Sequence, residues 1–178
     1  MDPVELFEAA TELTVQRLKG VSADQLHEPT PCSEWDVQAL IDHVAGGPAY
    51  LLGALGEPVT VVDADAARYA DLREACLRAL RRPGVDAVRC PSPLGFEWSV
   101  VEATAGTFMD QLVHTWDLAV ATGQDRRLDP DLVQACIAMF LPEMPDRGRA
   151  AGIIGPAVPV PPGAPAQDRL LAALGRHP

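Results

Sequence analysis

Apolar residues recur at helical spacing through most of the chain. The first run begins after Asp2 and ends at Gly20, and its apolar positions are Leu6, Ala9, Ala10, Leu13 and Leu18. Asp2–Glu5 supplies a capping carboxylate, a proline at the first helical position and an acidic third residue. The pattern therefore predicts an amphipathic helix at the start of the chain.

The same spacing predicts three further long helices. Two prolines in residues 28–32 exclude helix there, and the capping sequence that follows opens a second helix over residues 33–55. A third helix covers residues 63–82 and stops at a proline-glycine pair. The fourth runs from about residue 99 to residue 122, where Gly123 allows a left-handed stop.

Proline and glycine interrupt the remaining segments. Residues 84–98 predict a loop with room for a short extended piece, and residues 129–142 predict a shorter helix. Residues 142–165 are rich in proline and glycine, and residues 167–174 predict a final short helix. Four principal helices indicate an all-α fold, a four-helix bundle with short additional helices and a Pro/Gly-rich C-terminal tail.

Length and composition set the domain count and the class of partner. We expect one domain over residues 1–178, in which residues 142–178 form a wrapped tail that packs on the bundle. The apolar share of 48% and the charged share of 22% indicate a globular chain. A net charge of -11 argues against nucleic acid or an anionic membrane as the main partner.

The chain carries no evident export signal and no cysteine framework. Its first residues lack a basic start followed by an apolar run, and no apolar stretch approaches the roughly 20 residues of a membrane helix. The four cysteines are Cys32, Cys76, Cys90 and Cys136, with no CxxC pair among them. We therefore expect reduced thiols and a cytoplasmic location. Of the four, Cys32 alone lies in a turn beside a helix start.

Two histidines and one aspartate are candidates for a metal site. Asp110 and His114 are four residues apart, so they share one face of the fourth helix, and His43 lies on the second helix. Three such ligands would leave coordination positions open, as in catalytic zinc centres. The alternative for Asp110 and His114 is an intrahelical ion pair worth roughly 0.2–0.5 kcal/mol. The spacing by itself favours the ion pair.

Other side chains near these positions have weaker signals. Asp117, three residues after His114, is either a hydrogen-bond acceptor that orients the imidazole or an exposed helical aspartate. Trp35 is a packing residue, or it forms the wall of a pocket and contacts substrate there. The chain has no Gly-rich phosphate loop, no GxSxG nucleophile elbow and no HExxH zinc helix.

Four stretches together carry a family resemblance. They are Thr30–Val37 (TPCSEWDV), Leu40–Val44 (LIDHV), Asp110–Ala119 (DQLVHTWDLA) and Gln167–Arg176 (QDRLLAALGR). The chain resembles the actinobacterial single-domain group of the DinB-like, mycothiol-dependent maleylpyruvate isomerase N-terminal domain superfamily. This resemblance implies a DinB-like four-helix bundle that binds one divalent metal, usually zinc or nickel.

The resemblance also implies a ligand set and a chemistry. The family's ligand positions match His43, Asp110 and His114, with Asp110 bound directly or through a water because its side chain is shorter than glutamate. The metal would bind a thiol, mycothiol in actinobacteria, and present the thiolate to an electrophilic substrate. Arg169 and Arg176 are candidates for holding carboxylates of thiol or substrate, or are simply exposed tail arginines.

Three functional hypotheses follow. The first is a metal- and mycothiol-dependent transferase or isomerase-like enzyme, monomeric or homodimeric, with no catalytic residue assigned. The isomerase itself carries a further C-terminal domain that this sequence lacks, so we do not expect its activity to transfer. The alternative is a non-enzymatic metal- or small-ligand-binding module that has lost the chemistry. The third is a structural helical protein in which the Asp110 and His114 pair has no metal.

Overall fold

The computed structural model describes residues 1–178, and most of them are helical. The helices are α1 (Pro3–Lys19), α2 (Val37–Ala54), α3 (Ala66–Leu80), α4 (Val100–Ala121), α5 (Pro130–Phe140), α6 (Met144–Ala150) and α7 (Ala166–Ala173). Strands β1 (Arg89–Pro91) and β2 (Glu97–Ser99) form an antiparallel hairpin, and two 3₁₀ turns cover Ala23–Gln25 and Val85–Ala87. With 58% of the residues helical, the predicted all-α class is confirmed. None of the helices combines the length and apolar character needed to cross a bilayer.

The chain divides into two compact units. The first, Met1–Arg126, contains α1 to α4 and the hairpin, and the second, Arg127–Pro178, contains α5 to α7. The expectation of one domain over residues 1–178, with residues 142–178 packed on the bundle as a tail, stays a prediction.

The first unit is a four-helix bundle. Helix α1 packs on α3 and α4, and α2 packs on the same two helices. The largest fully buried side chains come from all four helices, and they include Phe7, Leu40, Leu51, Tyr69, Leu77, Phe108 and Leu112. Burying side chains of this size contributes about 1.5–3 kcal/mol each. The apolar stripes that predict the helices therefore face one shared core.

Side-chain caps fix where the long helices begin. The Asp2 carboxylate accepts hydrogen bonds from the backbone N–H groups of Val4 and Glu5, as the sequence predicts. The predicted start of α2 at Ser33 is wrong, because the helix begins after Asp36, whose carboxylate accepts from Ala39 N at 2.9 Å. Residues 33–35 belong instead to a turn that precedes the helix.

A buried amide ties three helices of the bundle together. The Gln111 side chain on α4 accepts a hydrogen bond from the Tyr69 hydroxyl of α3 at 2.5 Å and donates to the Val44 carbonyl of α2 at 2.9 Å. Gly47 makes room for it, since a Cβ there would lie 2.7 Å from Gln111 Nε2 and 3.0 Å from Thr107 Cγ2. The amide therefore sets the distance between α2 and α4.

The second unit is built around α5 and α7, which pack on each other. Their buried residues include Leu132, Val133, Leu170 and Leu171. The segment predicted to be irregular, residues 142–165, contains the short helix α6, which has a proline in its first turn. Proline is tolerated there because the N–H it lacks has no partner inside the helix.

We predict opposite effects of alanine at two adjacent glycines of α2. Gly46→Ala should raise the free energy of unfolding by about 0.5–1 kcal/mol, because its Cβ meets no atom within 4 Å and alanine is the better helix former. Gly47→Ala should lower it by about 1–3 kcal/mol, because its Cβ displaces the buried amide of Gln111. Urea unfolding of both variants measures the difference. Equal effects would contradict the role given to Gly47.

Candidate metal centre

His43, Asp110 and His114 meet between α2 and α4. Asp110 Oδ1 lies 3.2 Å from His43 Nε2 and 3.4 Å from His114 Nε2. One donor atom from each residue lies within 4.8 Å of the others. The two positions on α4 are one helical turn apart, and the buried amide of Gln111 holds α2 beside them. The structure thus brings the three predicted ligands together, and their binding of a metal stays a prediction.

The His114 ring is oriented by a second carboxylate. Its Nδ1 lies 2.9 Å from Asp117 Oδ2, and the Asp117 side chain is fully buried. An ionised carboxylate only accepts, so Nδ1 carries the proton and donates it to Asp117. That leaves Nε2 on the side of Asp110 and His43. Of the two alternatives for Asp117, the structure has the buried acceptor and not the exposed aspartate.

Cys32 forms a further contact on the same side as Asp117. Its Sγ lies 3.5 Å from Asp117 Oδ2 and 3.9 Å from His114 Nδ1, so these three residues form a second cluster of donor atoms. Because Nδ1 carries a proton shared with Asp117, this cluster supports the His114 ring and leaves Nε2 facing Asp110 and His43. Sequence reasoning assigned Cys32 no role, since 85 residues separate it from Asp117.

Trp35 lies against both imidazoles. Its ring centroid is 4.4 Å from that of His43 and 5.6 Å from that of His114, and the two imidazoles meet edge to face at 4.6 Å. Trp35 therefore covers one side of the candidate centre, a position that suits a pocket wall. Its predicted contact with substrate stays a prediction.

The charges of Asp110 and His114 stabilise each other. Burial would raise the pKa of the Asp110 carboxyl, but the charge and hydrogen bond of His114, and then those of His43, hold it well below its usual range. Burial would lower the pKa of His114, but the Asp110 charge, with hydrogen bonds to Asp110, Asp117 and Cys32, raises it well above its usual value. Without a metal the two residues therefore form an ion pair.

The donor set fits a divalent transition metal. Two imidazole nitrogens and one carboxylate match zinc and its neighbours and leave coordination positions for other ligands. Ligand atoms about 2.1 Å from a tetrahedral ion are about 3.4 Å apart. The 3.2 and 3.4 Å separations from Asp110 Oδ1 agree with that spacing. The hydrogen bond between His114 and Asp117 is also the usual support for a metal-binding histidine.

A groove lies along α2 on the C-terminal side of His43. It encloses about 510 Å³, and its lining residues, which include Gly46, Ala49, Tyr50 and Pro91, are all uncharged. Gly46 is three residues after His43, so the groove begins about one helical turn from that ligand. Its volume is within the range of small-molecule sites, about 300–1,000 Å³.

The two predicted arginines lie in the second unit. Arg169 is on α7, and Arg176 follows that helix and donates from Nη1 to the Leu174 carbonyl at 2.8 Å. Their binding of carboxylates stays a prediction.

Comparison with known proteins shows what the chain is similar to. A family model described as the mycothiol maleylpyruvate isomerase N-terminal domain matches residues 7–119, which include His43, Asp110 and His114. The chain is also similar to an uncharacterised protein of Mycobacterium tuberculosis found in two strains, CDC 1551 / Oshkosh and ATCC 25618 / H37Rv. Each is 33% identical over 188 residues, covering 99% of this chain and 98% of the relative. No solved structure matches the chain significantly.

We predict that Asp110→Asn lowers the pKa of His114 in the metal-free protein, because the variant removes the negative charge beside the ring. In the wild type the folded state binds this proton more tightly than the unfolded state. The stability that this proton contributes is fully present below about pH 6.5, the ordinary pKa of a histidine in the unfolded chain. It is lost as the pH rises through the higher pKa that His114 has in the folded protein. Histidine ring NMR and urea unfolding across pH measure both effects.

The exposed Asp63→Asn is the matched control and should change neither quantity. A His114 pKa that stays the same in Asp110→Asn would contradict the assigned ion pair.

Proposed function

Because the chain belongs to the mycothiol maleylpyruvate isomerase N-terminal domain family, we propose that it is a divalent-metal-binding, DinB-like protein that uses mycothiol. His43, Asp110 and His114 hold the ion, zinc or nickel. The reaction class is a thiol-dependent transfer or isomerisation. The observation that carries the proposal is the convergence of both imidazole Nε2 atoms on Asp110 Oδ1, at 3.2 and 3.4 Å.

Each neighbouring side chain has a role in this proposal. Asp117 holds the Nδ1 proton of His114, so that Nε2 keeps its lone pair for the ion. Trp35 excludes water from one side of the two imidazoles. A divalent cation in this position lowers the pKa of a thiol bound to it and so supplies a thiolate at neutral pH. The uncharged groove beyond Gly46 has room for the non-reacting part of an electrophilic substrate.

One observation favours the alternative, a metal- or small-ligand-binding module without catalysis. The titratable groups of the centre contact one another: Asp110 contacts both histidines, and Asp117 contacts His114 and Cys32. None of these contacts leaves an evident general acid or base for a proton transfer to substrate. Binding of a thiol followed by turnover of an electrophile separates the enzyme from the module.

We predict that the protein purified without a histidine tag binds one zinc or nickel ion per chain. His114→Ala and His43→Ala should each abolish stoichiometric binding, because two remaining ligands hold such an ion poorly. Elemental analysis and chelator competition measure the loss. His27→Ala is the matched control, since that histidine is exposed and pairs only with Asp36. Full affinity in His114→Ala, or no metal in the reconstituted wild type, would refute the proposal.

We predict further that mycothiol binds the zinc-loaded protein and that its affinity falls at least tenfold in the metal-free protein. The reason is that the ion supplies the main attraction for the sulfur. Isothermal titration of mycothiol into both forms measures the difference. Equal affinity in the two forms would exclude activation of the thiol by the metal.

A further inference from the structure

The residues before α2 form a loop that is closed on itself. The Thr30 hydroxyl accepts a hydrogen bond from Cys32 N at 3.1 Å and lies 2.9 Å from the Trp35 carbonyl, to which it can donate. Trp35 N donates to the Cys32 carbonyl at 2.9 Å. A bridge between Pro29 and Asp36 joins the loop's two ends at the start of α2. The loop therefore holds the side chains of Cys32 and Trp35 at a fixed separation.

These two side chains both contact groups of the candidate centre. The Trp35 ring lies 4.4 Å from the His43 ring, centroid to centroid. Cys32 Sγ donates to Asp117 Oδ2, the oxygen that also accepts from His114 Nδ1. One loop therefore contacts both imidazoles, and it also reaches His114 through Asp117.

The two imidazoles differ in what else orients them. A metal-binding histidine usually donates its second ring N–H to a carboxylate or carbonyl, which fixes the ring. His114 has such a partner in Asp117, whereas the one hydrogen bond of the His43 side chain is with Asp110. His43 is also half-buried, with 35% of its side chain exposed. Besides its edge-to-face contact with His114, the contact with Trp35 is therefore the main restraint on the His43 ring.

We propose that the Thr30–Trp35 loop positions the metal ligands. Trp35 packs on the His43 ring and restrains it in place of a second hydrogen-bond partner. Cys32 holds the Asp117 carboxylate against His114. The Thr30 hydroxyl closes the loop and so keeps the side chains of Trp35 and Cys32 at a fixed separation. This role rests on the proposed function, because it concerns the same ion. It also differs from the predicted role of Trp35, since a side chain that only contacts substrate would not change metal affinity.

The test compares Thr30→Val and Trp35→Leu with wild type. Thr30→Val removes the hydroxyl at nearly constant volume, and Trp35→Leu removes the aromatic contact. Zinc affinity should fall about tenfold to 100-fold in Trp35→Leu, the range typical of residues that orient metal ligands, and should also fall in Thr30→Val. The d–d absorption spectrum of the Co²⁺ form should change in both variants because the ligand geometry changes. Thr60→Val, at an exposed loop position, should leave both measurements unchanged.

A second measurement uses the metal-free protein and does not depend on metal binding. The Trp35 ring should shift the His43 ring-proton resonances upfield, and Trp35→Leu or Thr30→Val should reduce that shift. If Trp35→Leu fails to fold, Trp35→Phe replaces it and should give a smaller shift. Unchanged zinc affinity and cobalt spectra in both variants would overturn the proposal. If the wild type binds no metal, the proposed function fails, and an unchanged His43 shift would then overturn the positioning role separately.

Discussion

The location of the candidate centre depends on one buried amide, the side chain of Gln111. This amide follows Asp110 on α4 and donates to the Val44 carbonyl, which follows His43 on α2. An amide with no partner in this interior would cost about 1–3 kcal/mol, so the helices pack in the register that satisfies it. That register places the two ligand-bearing helices side by side. The hydroxyl of Tyr69 satisfies the other end of the amide and adds α3 to the same arrangement.

The charged groups of the candidate centre suit the binding of a cation more than they stabilise the folded protein. A carboxylate and an imidazolium taken out of water lose hydration, and this loss offsets much of their mutual attraction. This loss of hydration applies to Asp110 and His114. A further carboxylate, that of Asp117, lies beside them, and the net charge of the chain is already -11. An accumulation of anionic groups around two imidazoles is unfavourable for a bundle core but suits a site that receives a cation.

The parts of this structure that local patterns encode could be predicted. The helical stripes gave the four long helices, and the four-residue spacing of Asp110 and His114 placed both on one face. His43 joined them through the bundle pattern and the family resemblance, because 67 residues separate it from Asp110. The start of α2 was misplaced because the competing cap at Asp36 and the turn held by Thr30 have no periodic signal. The contacts of Cys32 and Gln111 could not be predicted either, since they depend on how helices pack.

Three of the groups around the candidate centre, Asp110, His114 and Asp117, lie within two turns of α4. They are brought together by the helix alone, at almost no cost in loop-closure entropy. His43 lies 67 residues before Asp110, so bringing the two together has a larger loop-closure cost. Packing of the bundle offsets that cost. A bound ion would therefore connect this long-range contact to two ligands that one helix holds together. Occupancy of the site would favour the folded bundle over every open form and would make the metal a structural link between α2 and α4.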